Sequence, residues 1–134
     1  MNSIKRQALF LSLTAIIVLG RSAYAQDESH LTGDWKGESI CQVKNSPCHD
    51  ESVIYHITKG NDSHKFVVNA DKIIDGKPEN MGALDFIYEK ENKALVCTSK
   101  NGTFKFIVTG NKMEGTLINP DKILFRRISL VKIE

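Results

Sequence analysis

Ala94-Leu95-Val96-Cys97-Thr98-Ser99-Lys100-Asn101-Gly102-Thr103-Phe104-Lys105-Phe106-Ile107-Val108 holds two short apolar segments separated by an Asn-Gly pair. In the second segment Phe104, Phe106 and Val108 alternate with Thr103, Lys105 and Ile107. A period of two sends one set to a buried face and the other toward water. Asn101-Gly102 predicts a type I′ hairpin, whose two central residues both need positive φ. The stretch therefore reads as two antiparallel strands joined by a tight turn.

The same period extends outward in both directions. Leu84, Phe86 and Tyr88 alternate with Ala83, Asp85, Ile87 and Glu89, and Phe66, Val68 and Ala70 alternate with Lys65, Val67 and Asn69. Turn signals recur at Asn45-Ser46-Pro47, Gly60-Asn61-Asp62, Asp75-Gly76-Lys77-Pro78, Glu91-Asn92, Gly110-Asn111 and Asn119-Pro120-Asp121. Between them the pattern predicts strands over 34–43, 52–59, 64–74, 82–90, 93–100, 103–110, 112–119 and 122–133. No stretch reads as a helix after residue 25. Eight short strands in sequence order suggest an all-β barrel or sandwich, and closing the meander into a barrel is the simplest way to protect its edges. The longest irregular piece is expected over 75–82.

The chain has 134 residues, 18 basic and 16 acidic. Its first 25 residues have the order of an export signal: Lys5-Arg6, an apolar run from Ala8 to Leu19, then Ala23-Tyr24-Ala25. The run is too short to span a bilayer as a helix. The domain plan is thus a signal peptide over 1–25, a flexible N-terminal arm over 26–30 and a barrel over 31–134. Lys5, Arg6 and Arg21 leave with the signal, so 15 basic residues face 16 acidic ones in the remainder. That balance argues against nucleic acid and against a polybasic membrane binder. An exported protein of the periplasm or extracellular space is expected, soluble after cleavage and monomeric.

Export makes disulfides durable. Cys41 and Cys48 are close in sequence, and their pairing is favoured because the short loop keeps the sulfurs near each other. Cys97 sits in an apolar strand pattern and reads as a buried thiol, with pairing to Cys41 or Cys48 as the alternative.

Leu31-Thr32-Gly33-Asp34-Trp35 opens the first strand with Gly-x-Trp. This resembles the start of the calycin barrels, the lipocalins and avidins among them. The resemblance implies an eight-stranded antiparallel up-and-down barrel. It also implies structural roles for Gly33 and Trp35, with Trp35 plugging one end and a basic residue of the last strand, Arg126 or Arg127, packed over it. The chain is shorter than most lipocalins and lacks their C-terminal helix. Avidins hold biotin with several Trp residues, whereas Trp35 is the only Trp here. Periplasmic inhibitors of secreted metalloproteases look similar in size and barrel type, with a short arm before a comparable strand. That likeness implies a role for Gln26-Asp27-Glu28-Ser29-His30.

No catalytic constellation emerges. There is no Gly-x-Ser-x-Gly elbow and no phosphate-cradling glycine loop. Cys48-His49-Asp50-Glu51 with His56 is the densest group of potential ligands, but lacks metal-site spacing, and no metal or cofactor is expected. If Tyr55 faces inward, His56 faces water. A non-enzymatic binding protein is expected, with a small apolar ligand in the barrel or, as the alternative, a protein partner that it inhibits. The candidate ligand-binding interior is Trp35, Phe66, Phe86, Tyr88, Phe104 and Phe106, with Val68, Leu84, Leu95 and Tyr55 on the same faces. The same side chains would equally fill a dry barrel.

Overall fold

A computed structural model describes residues 28–133; the expected signal peptide and residues 26–27 lie outside the described residues. Eight strands follow in order: β1 (Gly33–Cys41), β2 (Glu51–Lys59), β3 (Lys65–Ile74), β4 (Lys77–Glu89), β5 (Ala94–Ser99), β6 (Gly102–Thr109), β7 (Lys112–Ile118) and β8 (Leu124–Lys132). Each pairs antiparallel with the next, and β8 returns to β1, which closes the barrel. Among the described residues no helix is long and apolar enough to cross a membrane.

The alternating sets meet inside. Trp35, Phe66 and Leu95 are fully buried, and Phe86, Tyr88 and Phe106 nearly so. Phe106 lies edge-on to Tyr55 and parallel to Phe104, with centroids 5.8 and 6.3 Å apart. Cys41 and Cys48 form the disulfide, and Cys97 is a buried free thiol. Burial raises the Cys97 pKa, and the charge of Asp85 adds to the rise.

Two local expectations are corrected. The irregular piece expected over 75–82 is strand: Ile74 pairs with Lys77 across Asp75 and Gly76, whose φ values are 50° and 75°. Two successive left-handed residues make a type I′ turn, so Asp75-Gly76 is the tight hairpin and β4 starts five residues early. At the other hairpin Ser99 pairs with Gly102, so the turn residues are Lys100 and Asn101. Only Gly102 there has positive φ, at 124°, so the expected I′ turn at Asn101-Gly102 gives way to a two-residue turn followed by a left-handed glycine.

The β3–β4 hairpin projects. β4 pairs with β5 only over Ile87–Glu89, which leaves Lys77–Phe86 paired on the β3 side alone. Lys77, Pro78, Glu79 and a bulge at Met81 blunt this edge against strand addition.

Residues 28–30, expected in the flexible arm, belong to a 3-10 turn over Glu28–Leu31. Trp35 Nε1 donates to Leu31 O at 2.9 Å, and Lys132 Nζ to His30 O at 2.6 Å. His30 Nε2 meets Gly110 O at 2.8 Å, and Glu28 accepts from Lys59 Nζ at 3.1 Å and pairs with His64. Burial opposes ionisation of Glu28, but the bonds from Lys59 and His64 prevail and hold its pKa below the ordinary value. These contacts cap one barrel end over Trp35.

Candidate functional site

The opposite end holds a cavity of about 600 Å³. Phe86, Phe104, Val68 and Leu117 form its apolar wall, Tyr55 lies on the β2 side, and Met81–Leu84 line the mouth where β4 has lost its β5 partner. Lys100 and Asn101 of the β5–β6 turn, with Asn119 and Pro120 before β8, complete the rim. The volume falls within the range of about 300–1,000 Å³ typical of small-molecule sites.

Two bulges shape this wall. Ala70 pairs with Gly82 and Asp71 with Asn80, so Met81 is the extra residue on β4. Leu117 pairs with Arg126 and Ile118 with Leu124, so Phe125 is the extra residue on β8. Both line the cavity. A bulge re-aims a side chain against the strand's alternation, which is why a strict period of two misses these positions.

Of the six expected interior residues, Phe86 and Phe104 line the cavity, while Trp35, Phe66, Tyr88 and Phe106 pack the core. Leu84 shares the inward face of β4 but sits at the mouth, 38% exposed. Tyr55, Met81, Leu117 and Phe125 are the lining residues whose weight the pattern understated.

The basic residues of β8 depart from expectation. Arg126 turns inward at the open end, far from Trp35. Its Nη1 donates to Ser39 O, Ser39 Oγ and His49 O, each at 3.2 Å, and lies 3.7 Å from Glu51 Oε2. It thereby ties the disulfide-clipped 42–50 loop across the β8–β1–β2 side of the rim. Arg127 is exposed on the outer face. The cation over Trp35 is Lys132, with Nζ 5.8 Å from the ring centroid. Burial raises the Tyr55 phenol well above its ordinary pKa; Arg126 pulls it back and Glu51 adds to the rise, so the hydroxyl is neutral.

The group of potential ligands around Cys48 separates. His49 and Asp50 stay in the exposed 42–50 loop, while His56 faces outward from β2. There its Nδ1 meets Asp34 Oδ1 at 2.7 Å and its Nε2 meets Asp71 Oδ2 at 2.9 Å. Asn80 donates to Asp71 Oδ1 at 2.9 Å. Two carboxylates can both accept only from the doubly protonated ring. The bonds to Asp34 and Asp71 accordingly raise the His56 pKa, and those from Asn80 and His56 lower that of Asp71. Among the described residues no three His, Cys, Asp or Glu side chains converge as metal ligands.

This clip fastens β1, β2 and β3, and it fixes a pH dependence. The raised His56 pKa adds stability that is full below 6.5 and disappears as pH rises through the folded value. The lowered Asp71 pKa adds stability that disappears as pH falls through a value below 3.8. His56→Ala is expected to lower unfolding stability at pH 5 by about 0.5–1 kcal/mol, the scale of screened pairs. By pH 9 the gap from the unsubstituted protein should close, as read by urea unfolding; a gap independent of pH would remove the ion-pair account.

The chain matches no known family model. It also matches no curated protein. The cavity therefore carries the functional argument by its own chemistry.

Proposed function

We propose that this protein is a non-enzymatic binding protein that holds a small apolar ligand in the open end of its barrel. The observation that carries this reading is the cavity of about 600 Å³, walled by Phe86, Phe104, Val68, Leu117 and Phe125 in a chain whose other end is capped over Trp35. Aromatic and aliphatic walls with a few polar rim groups are the make-up of a small-molecule site. The disulfide is consistent with an exported protein, and on this reading the ligand is met outside the cytoplasm. The contacts of Glu28 and His30 with the barrel do not favour the alternative, an inhibitor working through residues 26–30.

The test is to fill the cavity. Ala70 pairs with Tyr55 across β3 and β2 and lines the wall. Ala70→Trp should weaken binding of the neutral probe Nile red by about tenfold or more, a loss of about 1.4 kcal/mol. The urea midpoint should move little, because the ring enters space already open. Equal Nile red affinity in both proteins, or none in the unsubstituted one, would defeat the proposal.

A further inference from the structure

Among the residues that line the cavity the charge is one-sided, and the exposed pair Asp121 and Lys122 follows Pro120 on the same loop. Lys100 is the one charged residue among those lining the cavity; the lining includes no Asp or Glu. Lys100 forms no salt bridge among the described residues, as most of the lysines there do not; its place on the cavity rim is what sets it apart. It stands on the two-residue β5–β6 turn beside the gap between β4 and β5. Its neighbours on the rim, Asn101, Asn119 and Pro120, are uncharged.

The other cation near the cavity offers nothing to a ligand. Arg126 is engaged by Ser39 O, Ser39 Oγ and His49 O, and Glu51 lies 3.7 Å away. A ligand carboxylate at Arg126 would also feel the Glu51 charge, and neither residue lines the cavity. Behind the rim the wall is apolar, and the neutral Tyr55 phenol is the titratable group that lines it. An anionic head at Lys100 keeps its hydration and gains an unpaired cation, while the tail leaves water.

Resting on the cavity reading above, we infer that the ligand is a single-chain amphiphile with an acidic head, bound tail first with the head against Lys100 at the mouth. A cationic head is disfavoured at the same place, since no lining carboxylate receives it.

The experiment measures calorimetric affinities of dodecanoate, dodecanol and dodecyltrimethylammonium, each below its aggregation concentration. The proteins are the unsubstituted chain, Lys100→Ala and a control, Lys36→Ala, which removes the same charge from the exposed outer face of β1. Lys100→Ala should weaken dodecanoate about fivefold, tighten dodecyltrimethylammonium and leave dodecanol unchanged, the scale of one partly screened charge contact. Lys36→Ala should change none of the three, and added salt should shrink the dodecanoate effect. Dodecanoate affinity that is indifferent to Lys100, or equally sensitive to Lys36, overturns the ligand class while dodecanol binding keeps the cavity reading. Failure of all three probes to bind overturns both.

Discussion

Gly37→Ala is expected to cost about 3 kcal/mol or more, at or above the upper end of ordinary overpacking losses. Gly37 sits in β1 between Val53 of β2 and Leu130 of β8, on the seam that closes the barrel. A Cβ there would lie 1.7 Å from Ser129 O and 2.9 Å from Leu130 Cα. Both obstacles are backbone, so no rotamer change relieves them. The seam has to open, and the β1–β8 bonds go with it. Against a typical total of about 5–15 kcal/mol, such a loss removes a large share of the folded population. Gly115 supplies the comparison. It faces Phe106 across β6 and β7, and its added Cβ would lie 2.2 Å from the Phe106 ring. That obstacle is a side chain, which can shift at the expense of its packing on Tyr55 and Phe86. Urea unfolding followed by far-ultraviolet circular dichroism should rank Gly37→Ala below Gly115→Ala in stability; the reverse order would mean that the seam yields more easily than the aromatic core.

The legible and illegible parts of the sequence divide along a physical line. Alternation in Phe104-Lys105-Phe106 or Phe86-Ile87-Tyr88 is a local property, and it identified seven strands to within about two residues at each end. It also placed Phe86 and Phe104 on the inner face. What it missed depends on pairing between strands. Met81 and Phe125 line the cavity because each is an extra residue opposite an unbulged partner strand. Gly82, with φ of 98°, marks the first bulge, but a glycine inside an alternating stretch has other readings. The Asp75-Gly76 turn was visible as a dipeptide, yet Pro78 and Glu79 after it broke the alternation and masked the start of β4. Tyr55 is buried, so alternation turns His56 outward. Its bonds to Asp34 and Asp71 needed the β1–β2–β3 register, which composition does not supply. The calycin resemblance implies Arg126 or Arg127 as the cation for Trp35; Lys132 takes that place because it pairs directly with Trp35 across the closing seam.

Trp35→Ala carries the second large effect, about 3–5 kcal/mol. The side chain is fully buried, and it adds a bond to Leu31 to the contacts by which the 3-10 turn holds the barrel. Its ring lies 6.3 Å from that of His30 in an edge-on pair and under the Lys132 ammonium, while Nε1 holds Leu31 O. Alanine leaves a void at the capped end and also removes one of the tethers of the Glu28–Leu31 turn. Trp35→Phe separates these contributions. It keeps most of the buried ring but deprives Leu31 O of its donor, which should cost about 1–3 kcal/mol. The distinguishing readout is local. In Trp35→Phe, amides of the 3-10 turn and Lys132 should exchange with solvent faster while β5 and β6 stay protected. In Trp35→Ala, loss of protection should extend into the Phe66–Tyr88 contact, whose centroids lie 6.5 Å apart nearby. Unchanged exchange in the turn of Trp35→Phe would show that apolar burial alone holds the cap. The cavity end should respond differently. Phe86 and Phe104 belong to another aromatic group, with centroids 6.0 Å apart, so Nile red affinity in Trp35→Phe should match the unsubstituted protein. A fall in that affinity would mean that the capped end and the open end form one mechanical unit.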